Sequence, residues 1–185
     1  MLRNDYLNLP DNWEDVLEQM MLSRAGSPDN RANRIYICSP CRSDSAEGIR
    51  RNMKAARVYM FYTYIHFASI PVAPHAYLPI LLNDLFEEER ALALSLGLQF
   101  VENCDKLFVC GDQLSNGMYG EIAEAVKRKI PVLVFDRQVF KGVQNFFALG
   151  GFSADAAQFE DSGLHPALRW GADRLAPFWE VKHIA

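Results

Sequence analysis

The sequence predicts an α/β fold, a small doubly wound parallel sheet with helices on both faces, and three observations carry that reading. Short β-rich apolar runs such as "RIYIC", "DKLFVCG" and "PVLVFD" alternate with much longer stretches of helical periodicity. Parallel neighbours need crossover connections, and helices are what usually supply them. The 185-residue length suits one ordinary core.

From the N-terminus, "LPDNWEDVLEQMML" predicts a short helix capped by Asp11 or Asn12, with an apolar face of Trp13, Val16, Leu17, Met20 and Met21. With the polar linker "SRAGSPDNRAN", residues 1–33 form an N-terminal appendage. From Arg34 the rhythm changes. "RIYIC" reads as the first strand, and "SDSAEGIRRNMKAARVYMFYTYIHFA" as a long helix capped by Ser43, Asp44 or Ser45. Its aromatic half, "VYMFYTYIHF", is apolar on several faces, as a helix buried against a sheet requires. "SIPVAP" predicts a second strand, "PILLNDLFEEERALALSLGLQFVENC" one or two helices, "DKLFVCG" a third strand, residues 115–129 a helix, and "PVLVFD" a fourth strand. These elements, residues 34–136, make up the predicted flavodoxin- or Rossmann-like domain. Residues 137–185 read as a loop-rich extension, with a last helix in "HPALRWGADRLAPFWEVKH" placing Leu168, Trp170, Leu175 and Phe178 under cover.

Composition excludes several function classes. Apolar residues are 50% and charged residues 23%, which is globular usage. A net charge of −4 with a pI near 5.6 provides no basic excess for phosphate backbones, so no nucleic-acid partner is expected. The longest apolar stretches are interrupted by His66, Pro79 and Asn83, well short of the ~20 residues of a membrane span. With no secretory segment at the start, a cytoplasmic location is expected.

Four cysteines open a rival reading. Cys38 and Cys41 form C-x-x-C between a strand and a helix, where a thiol-disulfide pair would sit. Against it, Cys38 continues the alternation of its strand and is expected to be buried, and Cys104 and Cys110 lie in apolar segments. Their spacing lacks the short knuckle of a zinc site, and no metal is expected.

In open parallel sheets, ligands bind beyond the carboxyl ends of the strands. The three loops predicted there, "CSPCRSD", "APHAYLP" and "CGDQLSNGMYGE", offer Arg42, Asp44, His75, Asp112, Ser115 and Glu121. Neither a dinucleotide G-x-G-x-x-G after the first strand nor a P-loop is present. Gly117 and Gly120 flank the turn before Glu121, where a ligand could approach the backbone and free helix N–H groups could attract an anion. Each residue also has an ordinary reading. Glu121 could be a first-turn acid favouring the helix dipole, worth about 0.3–1 kcal/mol. Ser115 could be an N-cap, His75 a structural histidine and Arg42 a solvated loop residue.

The run 112–135 resembles the nucleoside 2-deoxyribosyltransferase-like superfamily, which includes the deoxyribosyltransferases and the nucleoside 5′-monophosphate N-glycosidases. Its Gly-x-x-x-Glu turn, small-residue face, basic residue, proline and strand are matched by Gly117, Glu121, Ala125, Lys129, Pro131 and "VLVF". "IYICSPCR" is similar to the family's opening strand and loop, with Tyr36 at its tyrosine. The likeness spans residues 34–136.

The resemblance implies that Glu121 is a nucleophile attacking C1′ of a nucleoside sugar, with its carboxylate held by the Tyr36 hydroxyl. A carboxylate suits an oxocarbenium-like transition state, because an adjacent anion stabilises the positive charge. No cofactor is implied. Ser115, six residues before the nucleophile, stands where the monophosphate glycosidases carry a phosphate-contacting serine, and Arg42 is a second phosphate contact. Ser39, His75, Asp112, Gly117 and Met118 complete the implied substrate set. The family's aspartate eight residues before the acid that opens the third strand is absent: counting back from Asp105 gives Gly97. Glu89, Glu102, Asp112 and His75 are the alternative proton donors. The resemblance further implies a homodimer or higher homo-oligomer, in which Asn145 of "GVQNFFALGG" reaches a neighbour's substrate and Phe146, Phe147 and Phe152 are covered. Two functions thus remain beside the thiol reading: an N-glycosidic hydrolase or transferase of nucleosides or nucleoside 5′-monophosphates, and a non-catalytic module binding a nucleotide or an NAD-derived ligand.

Overall fold

A computed structural model describes residues 33–83, 86–161 and 166–176. The helix expected within residues 1–33, and Phe178, lie outside these described residues. Five strands, β1 (Arg34–Cys38), β2 (Ile70–Val72), β3 (Lys106–Val109), β4 (Val132–Val134) and β5 (Ala157–Phe159), form one all-parallel sheet in the order β2-β1-β3-β4-β5. The chain leaves β1 for one edge through β2 and returns to add β3 on β1's other side, with Tyr36 level with Val72 and Leu107. The strand order therefore reverses at β1 and β3, and a crevice opens at their carboxyl ends.

Helix α1 (Ala46–Phe67) starts at Ser45, whose side chain accepts from Gly48 N–H at 3.0 Å. It ends where Ala68 turns left-handed, at φ 46°. The aromatic half is core, as expected: Tyr59 and Tyr62 are almost fully buried, and burying such a side chain is worth about 1.5–3 kcal/mol. The segment after β2 divides into a 3₁₀ turn (Pro74–Ala76) and two helices, α2 (Leu78–Leu81) and α3 (Glu87–Glu102). Helix α4 (Asn116–Lys127) follows β3, and α5 (Arg137–Gly150) follows β4.

Side-chain alternation divides the core. Ile35, Ile37, Phe108 and Phe135 face α1 and the C-terminal residues Leu168 and Leu175. Tyr36, Cys38, Leu107, Val109 and Val134 face Val101 of α3, Ile122 of α4 and Val143 of α5. Because strand neighbours point to opposite faces, the "RIYIC" register delivers Tyr36 and Cys38 to the α3–α4 side.

The loop-rich reading of the segment after residue 136 is corrected. Asp136 caps α5 by accepting from Gln138 and Val139 N–H at 2.8 and 3.0 Å, and Val139, Val143 and Phe147 recur at four-residue spacing on its buried face. Phe147 is thus fully buried within its own chain rather than being an exposed interface aromatic, whereas Phe152 is partly exposed. The extension also supplies β5, paired with β4 from Ala157 to Phe159. Among the described residues of the expected last helix, the chain forms a 3₁₀ turn (Pro166–Arg169) and α6 (Ala172–Leu175). Among the described residues no helix is long and apolar enough to cross a membrane.

Candidate active site

Tyr36 and Glu121 meet at the floor of a cleft of about 600 Å³. Tyr36 comes from the middle of β1 and Glu121 from the second turn of α4, and the tyrosine hydroxyl donates a 2.7 Å hydrogen bond to Glu121 Oε1. The helix begins at Asn116, within one residue of its expected start, so Gly117 and Gly120, expected to flank a turn before Glu121, both lie inside it. Glu121 is therefore not a first-turn acid. The dipole effect fades within one turn and does not account for its position.

Desolvation raises the Glu121 carboxyl to about 7, although hydrogen bonds from Tyr36 and Cys38 pull the other way. A carboxyl so placed changes charge near neutrality, as functional acids and bases often do. Tyr36 is pushed well above its ordinary value, by burial first and then by the neighbouring carboxylate. It remains a phenol and a donor. Cys38 is fully buried, its thiol faces the Met118 carbonyl at 3.9 Å, and burial followed by Glu121 raises it well above the usual thiol range. This geometry is the opposite of the exposed, electropositive setting that activates a thiolate.

Eight of the ten residues in the implied catalytic and substrate set border this one cleft, as does Asp44. Besides Tyr36 and Glu121, Ser39 and Arg42 come from the loop after β1, His75 from the turn after β2, and Ser115, Gly117 and Met118 from the start of α4. Ser39 Oγ and His75 Nε2 are 2.8 Å apart. Burial lowers His75 to about 4, so its ring is neutral at physiological pH. Ser115 occupies the N-cap position of α4. Gly117 faces Leu94 across the cleft, leaving 3.7 Å to a would-be Cβ. Two residues lie elsewhere: Asp112 borders a neighbouring hollow against Gly171, and Asn145 is exposed on α5.

Gly97 sits directly opposite the carboxylate. A Cβ there would lie 3.4 Å from Tyr36 Oη and 3.5 Å from Glu121 Oε1, so the missing side chain leaves the floor of the cleft bare. Of the alternative proton donors, Glu89 and His75 line the cleft. Glu102 does not, and its carboxylate pairs with Arg128 on the outer surface.

Sequence reasoning missed the residues that hold the loops. Asn52 Nδ2 donates to the Cys41 carbonyl at 3.0 Å, and the Arg57 guanidinium donates twice to the Ala76 carbonyl, at 3.0 and 3.2 Å. From α1 these two side chains hold the loops carrying Ser39 and His75. Leu78 and Leu82 add an apolar wall.

Residues 33–135 match the model of a family described as Domain of unknown function (DUF7768). No curated protein and no solved structure matches the chain.

Proposed function

The chain belongs to the DUF7768 family, and we propose that it is an enzyme of N-glycosidic bonds, a hydrolase or transferase that acts on nucleosides or nucleoside 5′-monophosphates through Glu121. The observation that carries this reading is the Tyr36–Glu121 pair at the floor of a cleft sized for a small ligand, at the carboxyl ends of β1 and β3. Oε1 accepts from the tyrosine hydroxyl, and in this reading the other carboxylate oxygen attacks C1′.

In the proposed reaction the ionised Glu121 forms a C1′–O bond as the C1′–N bond breaks. The bond electrons leave with the base, which takes a proton from a donor in the cleft. Glu89, partly buried on the cleft wall, is the donor assigned to that role here. Water or a second base then attacks C1′ and releases Glu121, giving hydrolysis or transfer. A 5′-phosphate would lie against Ser115 and the open N–H groups at the start of α4, with Arg42 nearby.

Gly97 favours a second reading, in which the same cleft binds a nucleotide or an NAD-derived ligand without turnover, because no acid stands beside Glu121 at that place. Chromatography of free base released from a panel of nucleosides and nucleotides, with Glu121→Ala as control, separates the two. Glu121-dependent release supports the enzyme; binding without release supports the module.

The reading includes a cytoplasmic homo-oligomer. The buried thiols of Cys38, Cys104 and Cys110, none of them in a disulfide, fit a reducing compartment. Ile80 and Leu81, strongly exposed beside the cleft-lining Leu78 and Leu82, supply apolar surface for a second copy.

A further inference from the structure

The loop that follows β1 has a hollow on each side. One is the Glu121 cleft. The other, of about 300 Å³, lies between this loop, the loop after β3 and helix α6. Arg42, Ser43 and Ser115 border both hollows, so a ligand lying over Ser115 can enter either.

The charged lining of the second hollow is three arginines, Arg42, Arg51 and Arg174, against two aspartates, Asp112 and Asp173. That excess is positive in a chain whose net charge is −4. Arg51 pairs with Asp173 at 2.9 Å, but both side chains are largely exposed, and such pairs contribute little and exchange readily for a better anion. The Arg174 guanidinium lies 5.0 Å from the centre of the Trp170 ring, which orients its donors. Arginine forks match phosphate oxygens, and the Asp112 carboxylate can accept from sugar hydroxyls. Gly171 is what admits Asp112: a Cβ there would come within 2.5 Å of both carboxylate oxygens.

Resting on the nucleotide reading of the Glu121 cleft, we propose that the ligand spans both hollows and is a nucleoside 5′-diphosphate ester. Its nucleoside lies over Glu121 and its first phosphate at Ser115. Its second phosphate and a hydroxyl-bearing terminal group lie among Arg51, Arg174 and Asp112.

Equilibrium titration tests this with four probes in each of the adenine, guanine, cytosine and uracil series: nucleoside, 5′-monophosphate, 5′-diphosphate and 5′-diphosphate sugar. In at least one series the diphosphate compounds bind about tenfold or more tightly than the monophosphate. The double variant Arg51→Gln, Arg174→Gln loses that gain, its melting temperature and nucleoside binding reporting that it is folded. A series without any gain from the second phosphate, or a gain that survives in the folded double variant, overturns the proposal. Failure of every probe, nucleosides included, overturns the reading of the Glu121 cleft and this proposal with it; nucleoside binding with no diphosphate gain overturns this proposal alone.

Discussion

The Tyr36 hydroxyl and the Glu121 carboxylate, 85 residues apart in sequence, are joined by a 2.7 Å hydrogen bond at the floor of a cleft. The bond favours the ionised carboxylate, and burial opposes it more strongly. Tyr36→Phe keeps the ring and removes the donor. The Glu121 carboxyl then titrates above its present value of about 7, and the acid limb of the pH–rate profile for base release moves to higher pH. Lost stability is about 1 kcal/mol. An unmoved limb would show that the bond does not govern the carboxylate.

Stability should carry the same signature. The folded chain holds the Glu121 proton up to about 7, whereas the ordinary value is 4.5. Between these pH values the native state binds more protons than the unfolded state, so this group's contribution to stability falls as pH rises, by on the order of 3 kcal/mol in total. Denaturant melts of wild type and Glu121→Gln from pH 4 to pH 8 should diverge across this window, with the variant gaining on the wild type as pH increases.

Gly97 invites two substitutions with opposite expectations. Gly97→Ala adds a methyl at ordinary contact distance from Tyr36 and Glu121. It should stabilise α3 by about 0.5–1 kcal/mol while slowing base release by covering the carboxylate. Gly97→Asp places an acid where the leaving base would take its proton, and release should rise about a hundredfold. Measured rates for the two variants decide whether this bare floor limits the reaction.

Asn52 holds the loop after β1 through the Cys41 carbonyl without lining the cleft. Asn52→Ala should cost about 1 kcal/mol and raise KM with kcat nearly kept, because the loop positions substrate rather than reacting. Steady-state kinetics alongside a thermal melt distinguishes this from general unfolding.

Much of this arrangement was legible in residue order because it depends on local rules. Alternation in "RIYIC" placed Tyr36 and Cys38 on one face, and the strand-to-loop junctions marked the carboxyl ends where eight chosen residues gather. The family resemblance, counted back from Asp105, led to Gly97, and the fold sets that glycine against Glu121. The less legible parts depend on tertiary context. Strand β5 has three residues, too few for a period, and is defined by pairing with β4. Helix α5 carries Gly142, which depresses helix propensity, yet a Cβ there would come within 2.8 Å of Leu114, so close packing explains the glycine. The loop clamps of Asn52 and Arg57 end on backbone carbonyls, which leave no mark in side-chain patterns.

The central claim, covalent catalysis by Glu121, is tested most directly by mass spectrometry of enzyme quenched during turnover on a nucleotide that it cleaves. Trypsin releases Glu121 in the peptide 107–127, and the account predicts a glycosyl adduct on that residue that is absent from Glu121→Gln. Base release that continues undiminished in Glu121→Ala, with no adduct on the wild-type peptide, would contradict it.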